Sequence, residues 1–415
     1  MRERIWLWLT RLWRRPGIRI SAFGSAALLV SLIAPLVDRS LPEWLVDRFS
    51  RDAVLPILNI LASSMLAVTT FSLGIMVQAF RSAAGQATPR VYRLLMQDMT
   101  TLNVMSVFVG AFLFSLASIV MFRAGFYGES AAVIVFGLTM VCILMIVVAI
   151  LRWIAHLSQL GSLHHTLNLV EQAAKAPLER LARKSNLGAR PAENAPKAPK
   201  GATPLLAPRS GYVQFLSLAE LNEQLKETDA TLWVFAPPGS WVLKDTPLAY
   251  VEGECDPDTL IENFTMGDER TVEQDARFGL VILSEVASRA LSPGVNDPGT
   301  AIDVIHRIER ILWTLGQGMA DKDRDTTVEF EQVIIGTVSA EDLLNDGYAS
   351  LMQDGGNRFD VMAQMLKAAT RLSKSDWSDL ASAAEKTRDT ALGIIDRKIE
   401  DPDAVKSLQE RAKRT

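Results

Sequence analysis

The stretch that decides the fold is VLPILNILASSMLAVTTFSLGIMVQAF, residues 54–80. No charged side chain interrupts it, and as an α-helix it extends about 40 Å, enough to cross a hydrocarbon core of about 30 Å. Its small and polar residues step by three or four positions, so they share one helical face. These residues are Asn59, Ser63, Ala67, Thr70, Gly74 and Gln78. The stretch therefore predicts a membrane-spanning helix with one polar face.

Two interpretations of this polar face follow from the chemistry of the bilayer. Lipid offers a polar side chain no hydrogen bonds, so the face should look at protein or at water. It is either a helix-packing seam, in which small residues let backbones approach, or the wall of a polar permeation path. The third apolar stretch carries a similar stripe of small residues, which we expect to pack against the first. This second stripe comprises Ser106, Gly110, Phe114 and Ala117.

The composition indicates a membrane part joined to a soluble part. Of 415 residues, 49% are hydrophobic, yet 22% are still charged. The net charge of −4 argues against nucleic acid as a partner, which would require a basic face. Only two cysteines occur, Cys142 in an apolar stretch and Cys255 in the soluble half, so we expect no disulfide framework and a reducing compartment.

Four apolar stretches are long enough to be transmembrane helices, and they define a membrane domain over residues 18–151. They are residues 18–37, 54–80, 102–122 and 131–151. Residues 1–17 combine arginine with tryptophan, a pattern typical of an interfacial amphipathic helix. Lysine and arginine are commoner at the start of the chain, in the loop 81–101 and after the fourth stretch, taken together, than in the loops 38–53 and 123–130, where acidic residues accompany the arginines. This bias predicts that both termini are cytoplasmic.

The segment after the fourth stretch predicts a cytosolic helical stalk followed by a linker. Residues 152–184 keep a helical spacing of apolar side chains. His164 and His165 lie on this stalk, but neighbours in a helix point apart and no cysteine or carboxylate is placed to complete a metal site. Residues 185–208 are rich in proline, alanine and glycine and lack periodicity, so we expect a solvated linker.

The remaining half predicts an α+β cytosolic domain in two parts. Residues 209–265 contain short strands around the turn 237–240, which favours a small β-barrel or sandwich. Residues 266–415 form a helical subdomain, interrupted by one strand near 328–338 and ending in a helical tail.

A helical hairpin is the most distinctive element of the helical subdomain. Thr271 and Gln274 form a capping box for a helix that runs to about Ala290. After the break at Pro293-Gly294, Asp297 is a good N-cap and Pro298 suits the first position of the next helix.

The sequence contains no motif that points to catalysis. A P-loop, a dinucleotide fingerprint, HExxH and GxSxG are all absent from the structural contexts they require. We therefore expect no enzyme, no catalytic or metal-binding residues and no cofactor. Ionisable residues are also absent from the interior of the spans, which disfavours ion-coupled transport.

Three phrases resemble the bacterial family of predicted membrane proteins DUF2254. They are SSMLAVTTFSLGIMVQAFRSAAGQATPRVYR (63–93), PPGSWVLKDTPLAYVEG (237–253) and GDERTVEQDARFG (267–279) followed by ALSPGVNDPGTA (290–301). By this resemblance the family signature falls on Ser72, Pro89, Arg90, Arg270, Gln274, Asp275, Ala290, Leu291, Ser292, Pro293, Asn296, Asp297, Pro298, Thr300 and Ala301. The resemblance implies a multi-pass protein of the bacterial inner membrane, with four spans and a cytosolic C-terminal domain, and it assigns no activity.

Taken together, these features predict a homo-oligomeric membrane protein whose second span lines a passive path for an ion or small solute. Four thin spans enclose little on their own, so such a path would be shared between copies of the chain. The alternative is a membrane-anchored sensor or scaffold without a pore, whose cytosolic domain binds a ligand or partner. The expected partners are the lipid bilayer, other copies of the chain and an unknown solute or ion.

Overall fold

A computed structural model of the chain describes Leu12 and residues 16–33, 51–86, 88–96, 98–157, 159–192 and 199–414. The chain divides into two compact units. The first, called here the membrane unit, comprises the described residues between 16 and 85 and those from 92 to 165. The C-terminal unit comprises residues 86–91 and the described residues from 166 onward. Most of the predicted interfacial helix at 1–17 lies outside the described residues.

Long apolar helices make up most of the membrane unit. The first five described helices in chain order are α1 (Pro16–Ile33), α2 (Arg51–Gln86), α3 (Pro89–Met96), α4 (Met99–Arg123) and α5 (Glu129–Leu157), of which only α3 is short. Three helical segments are long and apolar enough to cross a membrane: Asp52–Ala83, Met99–Arg123 and Ala131–Leu157. They coincide with the second, third and fourth predicted spans. The apolar part of α1 is shorter, Gly17–Leu29, and residues 34–37 of the first predicted span lie outside the described residues, so the fourth crossing is not confirmed.

The stripe of small residues on α4 packs against α1, not against the polar face of α2. A Cβ added at Gly110 would lie 3.8 Å from the carbonyl oxygen of Phe23 on α1. Phe114, also on the stripe, belongs to a core with Val54 and Leu58, which lie on the opposite side of α2 from its polar face. The prediction that the two stripes pack together is therefore wrong, because helix spacing shows which residues share a face but not which faces meet.

The predicted stalk is not one continuous helix. α5 ends at Leu157, a turn follows, and α6 (Leu163–Arg183) begins after it. Gly161 in the turn has φ of +84°, a left-handed backbone conformation that residues other than glycine rarely adopt. The apolar spacing of the two helices happens to continue across the turn, so periodicity alone predicted a single helix.

The C-terminal unit contains two sheets. Its strands are β1 (Ala189–Ala192), β2 (Thr203–Leu206), β3 (Gly211–Leu216), β4 (Thr231–Val234), β5 (Trp241–Val242), β6 (Pro247–Glu252), β7 (Phe264–Gly267) and β8 (Phe330–Gly336). Five of them form a mixed sheet in the order β1-β8-β4-β6-β2, in which β8 runs parallel to both β1 and β4. The other three form an antiparallel sheet in the order β5-β3-β7.

Two strands of the mixed sheet lie inside the predicted linker 185–208. β1 pairs with β8 and β2 pairs with β6, so this segment is part of the fold, although residues 193–198 are outside the described range. Pro191 and Pro204 suggested a linker, but both lie in strands at the ends of the sheet order. Proline lacks an N–H and is tolerated at sheet edges.

The barrel or sandwich predicted for 209–265 is not confirmed. The strands of this segment belong to two sheets, and β8, which lies far outside it, completes the larger one. Both sheets contribute to one apolar core that contains Val213 and Leu216 from β3 together with Leu232, Leu248 and Val333. The short helices α7 (Leu218–Glu227) and α8 (Pro257–Ile261) connect the strands.

The rest of the C-terminal unit is helical, as predicted. Its helices are α9 (Phe278–Leu291), α10 (Pro298–Ala320), α11 (Ala340–Gly355), α12 (Phe359–Leu372), α13 (Ser378–Lys398) and α14 (Pro402–Arg414). Asp297 caps α10, accepting a hydrogen bond from the backbone N–H of Thr300 at 3.1 Å, and Pro298 is its first residue, as predicted. The preceding helix begins at Phe278, so the predicted capping box of Thr271 and Gln274 is wrong.

A buried ion network joins α6 to α10 within the C-terminal unit. Arg307, 2% exposed, donates to Glu171 and to Asn168 at 2.7 Å each and to Asp303 at 2.9 Å. Arg310 binds both carboxylate oxygens of Glu171 at 2.7 Å. Glu171 is 7% exposed, so its charge is compensated by protein donors in place of water.

Candidate functional site

The polar face of α2 is exposed. Asn59, Ser63, Thr70, Gly74 and Gln78 all lie on the surface of the chain, as does Ala67. The buried residues of the same span are Val54, Leu58, Leu61, Met65, Ser72 and Phe80. At about 100° per residue, most of these buried residues lie on the side of the helix opposite Ser63 and Thr70. α2 therefore packs against the rest of the chain through its apolar side, and its polar side makes no comparable packing contact among the described residues.

Polar side chains on this face form hydrogen bonds with their own helix. Asn59 Nδ2 donates to the carbonyl oxygen of Leu55, Ser63 Oγ to that of Asn59 and Thr70 Oγ1 to that of Leu66, each at 2.9 Å. These bonds use the donors of the hydroxyl groups and leave oxygen lone pairs directed away from the helix backbone. The face therefore presents acceptors to whatever lies beside it.

Large apolar side chains border the polar face on both sides. Ile60 and Phe71, 66% and 69% exposed, lie on one flank, and Leu66 and Leu73 lie on the other. With this arrangement the apolar flanks of α2 can contact lipid while the polar face between them contacts protein or water.

A buried histidine–carboxylate pair lies at the end of the membrane unit where α4 begins and α5 ends. His156 Nε2 lies 2.7 Å from Asp98 Oδ2. The same carboxylate oxygen accepts from the hydroxyl of Thr101 at 2.6 Å and from its backbone N–H at 3.0 Å. The ring of His165 meets the ring of His156 edge-on, with centroids 5.6 Å apart.

Burial and hydrogen bonding act in opposite directions on this cluster. Burial raises the pKa of Asp98, but the hydrogen bonds from His156 and Thr101 lower it by more. The net effect is a pKa of about 2, below the ordinary value. Burial and the neighbouring His156 lower the pKa of His165. Asp98 is thus held as a carboxylate that caps α4 and accepts a hydrogen bond from His156 at the same time.

Sequence reasoning missed this pair. Asp98 followed three residues later by Thr101 is an N-cap pattern before an apolar stretch, and that much was readable from the sequence. Its partner His156 lies on another helix, so no local pattern joins the two residues. His164 and His165 drew attention as adjacent histidines, yet His165 lies beside His156 and belongs to this cluster.

Replacing Asp98 with asparagine should destabilise the membrane unit by about 2 kcal/mol at pH 7, because a fall in pKa from 3.8 to about 2 corresponds to roughly that free energy. The native pKa is below the ordinary value, so ionised Asp98 stabilises the fold. This contribution is complete above about pH 4 and disappears as the pH falls through about 2. Thermal unfolding in detergent at pH 7 measures the effect, with the exposed Asp52→Asn as control. Equal melting temperatures for the two variants would contradict the prediction.

A groove of about 700 Å³ runs along α4 and α5 beside this cluster. One end is lined by polar side chains, including Asn103, Arg152 and Gln159. The other end is lined by apolar side chains, including Val107 and Leu144. The groove therefore changes from polar to apolar along its length.

Three residues of the family signature connect the smaller sheet to α9. Asp275, 3% exposed, accepts from Arg270 Nε at 2.5 Å and from the backbone N–H groups of Arg277 and Phe278 at 3.0 and 3.1 Å. Gln274 accepts from the N–H of Leu216 at 2.8 Å and donates to its carbonyl at 3.1 Å. Asp275 therefore satisfies backbone N–H groups at the start of α9. Gln274 pairs with the backbone of Leu216, the last residue of β3, much as a neighbouring strand would.

The other signature residues of this region lie in the turn between α9 and α10 and in the first turn of α10. Ser292, Pro293, Asn296 and Asp297 lie in the connecting turn, and Pro298 and Thr300 begin α10. Ser292 donates to the carbonyl of Arg289 at 2.7 Å, and Asn296, with φ of +51°, accepts from Arg358 at 2.6 Å. α9 has 14 residues and is about 20 Å long, so it separates this turn from Asp275. The signature thus marks both ends of one helix and not a single pocket.

The signature residues outside this region have packing and pairing roles. Ser72 is buried on the packed side of α2, and Leu291 and Ala301 are buried in the C-terminal unit. Arg90, in the segment 86–91 of the same unit, forms a salt bridge with Glu285 on α9. Within the described part of the chain, no group of three or more His, Cys, Asp and Glu side chains is arranged to hold a metal ion.

Comparison with known proteins identifies a family of membrane proteins and uncharacterized relatives. Uncharacterized proteins of Mycobacterium bovis and Mycobacterium tuberculosis are each 26% identical over 308 residues, which is 71% of this chain. The aligned region is 58% of each relative's length, so the chain spans little more than half of these proteins. No solved structure matches the chain. The family described as "Predicted membrane protein (DUF2254)" matches residues 10–371, and the chain therefore belongs to the DUF2254 family.

Proposed function

We propose that the protein is a homo-oligomeric membrane protein whose α2 helices surround a passive path for an ion or small solute. The observation that carries this proposal is the exposure of the polar face of α2 opposite its buried stripe. A polar strip in hydrocarbon is costly, and a second copy of the same strip relieves that cost. Copies arranged about an axis would place Ser63 and Thr70 of each chain towards the centre.

A passive, non-enzymatic role fits the chemistry of this face. Its side chains are hydroxyls, amides and small residues, with no ionisable group between residues 54 and 80. Coupled carriers generally use intramembrane ionisable groups, whereas a passive path needs only polar acceptors. We further propose an inner-membrane location with both termini in the cytoplasm, on the strength of the lysine and arginine distribution. Protease added outside intact cells should then leave a tag fused after Thr415 uncut.

Solute flux across liposomes tests the path. We expect vesicles carrying the wild-type chain to release small ions, and Ser63→Leu or Thr70→Leu to reduce that flux by about tenfold, because each removes a hydroxyl worth about 1–2 kcal/mol to a polar solute. Phe71→Leu changes an exposed flank residue of the same helix without changing polarity, so it should leave the flux unchanged. An equal fall in all three variants would contradict the assignment of the polar face.

Cysteine cross-linking tests the oligomer separately. In a chain with Cys142 and Cys255 replaced by alanine, Thr70→Cys should form cross-linked dimers in membranes. Met65→Cys, buried on the opposite side of α2, should not. A monomer in membranes with no Thr70 cross-link would overturn the oligomer and with it the shared path.

A sensor or scaffold without a pore is the second candidate. It is favoured by the signature turn between α9 and α10, where Pro293, Gly294, Val295 and Asn296 are exposed in the C-terminal unit. Exposed loop residues on a rigid helical scaffold often make contacts with partners. Liposomes with verified insertion and no flux would favour this function over the path.

A further inference from the structure

We propose that the groove between α4 and α5 binds an anionic glycerophospholipid, with its phosphate beside Arg152 and one acyl chain along the apolar end. The site is independent of the α2 path proposed above. It lies within the membrane unit, and its described lining comes from α4, from α5 and from Gln159 just after α5.

The polar end of the groove carries positive charge. Arg152 is exposed on α5 and, among the described residues, forms no salt bridge with a carboxylate. Asn103, across the groove on α4, accepts from Arg19 at 2.5 Å, which brings a second guanidinium close to the same end. The nearby carboxylate of Asp98 is already paired with His156. An anionic headgroup would therefore find donors here without facing an uncompensated negative charge.

The depth of this end suits a headgroup. The apolar segment of α5, Ala131–Leu157, has 27 residues and extends about 40 Å, which is longer than a hydrocarbon core of about 30 Å. The turn of α5 that contains Arg152 is therefore placed near the level of the lipid headgroups. Arginine at the end of a span typically reaches this level.

The other end of the groove suits an acyl chain. Val107 on α4 faces Leu144, Met145 and Val148 on α5, and the three α5 side chains are exposed. The volume of about 700 Å³ lies in the range of pockets that hold organic ligands, about 300–1,000 Å³, and far exceeds what a free phosphate needs. A molecule with a charged phosphate at one end and a hydrocarbon chain at the other matches both ends of the groove.

Lipid titration followed by native mass spectrometry tests the assignment on the full chain in neutral detergent. Phosphatidylglycerol and phosphatidylcholine with identical acyl chains are the two probes. We expect the wild-type chain to bind phosphatidylglycerol at least about tenfold more tightly, because only this lipid carries net negative charge. Arg152→Gln should remove the difference. Arg123→Gln, an exposed arginine at the opposite end of α4, should retain it.

A second variant tests the acyl end. Val148→Trp places a large side chain in the groove at a position that is 41% exposed, so the helix core is spared. It should weaken both lipids about tenfold, and inorganic phosphate at millimolar concentration should not displace phosphatidylglycerol. Equal wild-type affinity for the two lipids, an equal loss in Arg123→Gln and Arg152→Gln, unchanged binding by Val148→Trp or displacement by phosphate would each overturn the proposal.

Discussion

Replacing Glu171 with alanine should lower the free energy of unfolding of the C-terminal unit by about 3–5 kcal/mol. Glu171 accepts from both Arg307 and Arg310, and both of its carboxylate oxygens are occupied. Without it the guanidinium of Arg307, only 3% exposed, keeps Asp303 and Asn168 but loses its buried counter-charge. The counter-charge that remains, Asp303, is 45% exposed, so the buried guanidinium is compensated less well, and the cost exceeds that of a surface ion pair.

The matched control is Glu341→Ala. Glu341 pairs with Lys386 at 2.9 Å, but both side chains are more than half exposed, so we expect a loss below about 1 kcal/mol. Urea denaturation of the full-length protein in detergent, followed by pulse proteolysis of the C-terminal unit, measures both variants. Similar losses for Glu171→Ala and Glu341→Ala would contradict the argument from burial.

Replacing Gly239 with alanine should destabilise the C-terminal unit by about 3 kcal/mol or more. Gly239 has φ of +96°, which costs a residue with a Cβ about 1–3 kcal/mol. An added Cβ would also overlap the carboxylate of Asp275. That carboxylate is fixed by Arg270 and by the backbone N–H groups at the start of α9, so moving it would break several hydrogen bonds at once.

Substitutions at two other glycines distinguish the cost of backbone strain from the cost of the contact with Asp275. Gly201 has φ of +90° with open space around an added Cβ, so Gly201→Ala measures the backbone strain alone. Gly294 is exposed and also has open space, and its replacement by alanine should change stability little. The same denaturation assay should rank the losses as Gly239→Ala, then Gly201→Ala, then Gly294→Ala. Equal losses at 239 and 201 would show that the contact with Asp275 contributes nothing.

The parts of the fold that depend on local pattern were predictable. Three long apolar stretches became helices of membrane-crossing length, because charge-free runs of this length have few alternatives. Asp297 and Pro298 start α10 as predicted, since a cap and a first-turn proline act within four residues.

Elements that depend on distant partners were not predictable. β1 is a strand because it pairs with β8, where Ala192 is the partner of Gly336, more than a hundred residues away. The start of α9 was misplaced because Gln274 bonds the backbone of Leu216 on β3, and this tertiary contact replaces the expected capping box. Local propensity predicts secondary structure poorly wherever contacts with distant residues determine whether a segment is a helix or a strand.

The candidate sites divide in the same way. The residues of the α2 polar face were identified from their spacing, but their exposure follows from how Val54 and Leu58 pack on the other side of the helix. Asp98 and His156 are brought together only by the packing of α4 and α5. Neither residue is unusual in its own stretch of sequence.

The prolines of β1 and β2 have a consequence for assembly. Pro191 and Pro204 lie on the two outermost strands of the mixed sheet, and each of those strands has four residues within the described part of the chain. A short edge that lacks a donor is a poor template for an incoming strand, so the sheet resists growth into aggregates. Among the described strands, the outer edges of this sheet therefore offer little to a partner that docks by adding a strand, which favours recognition by side chains on helices and turns.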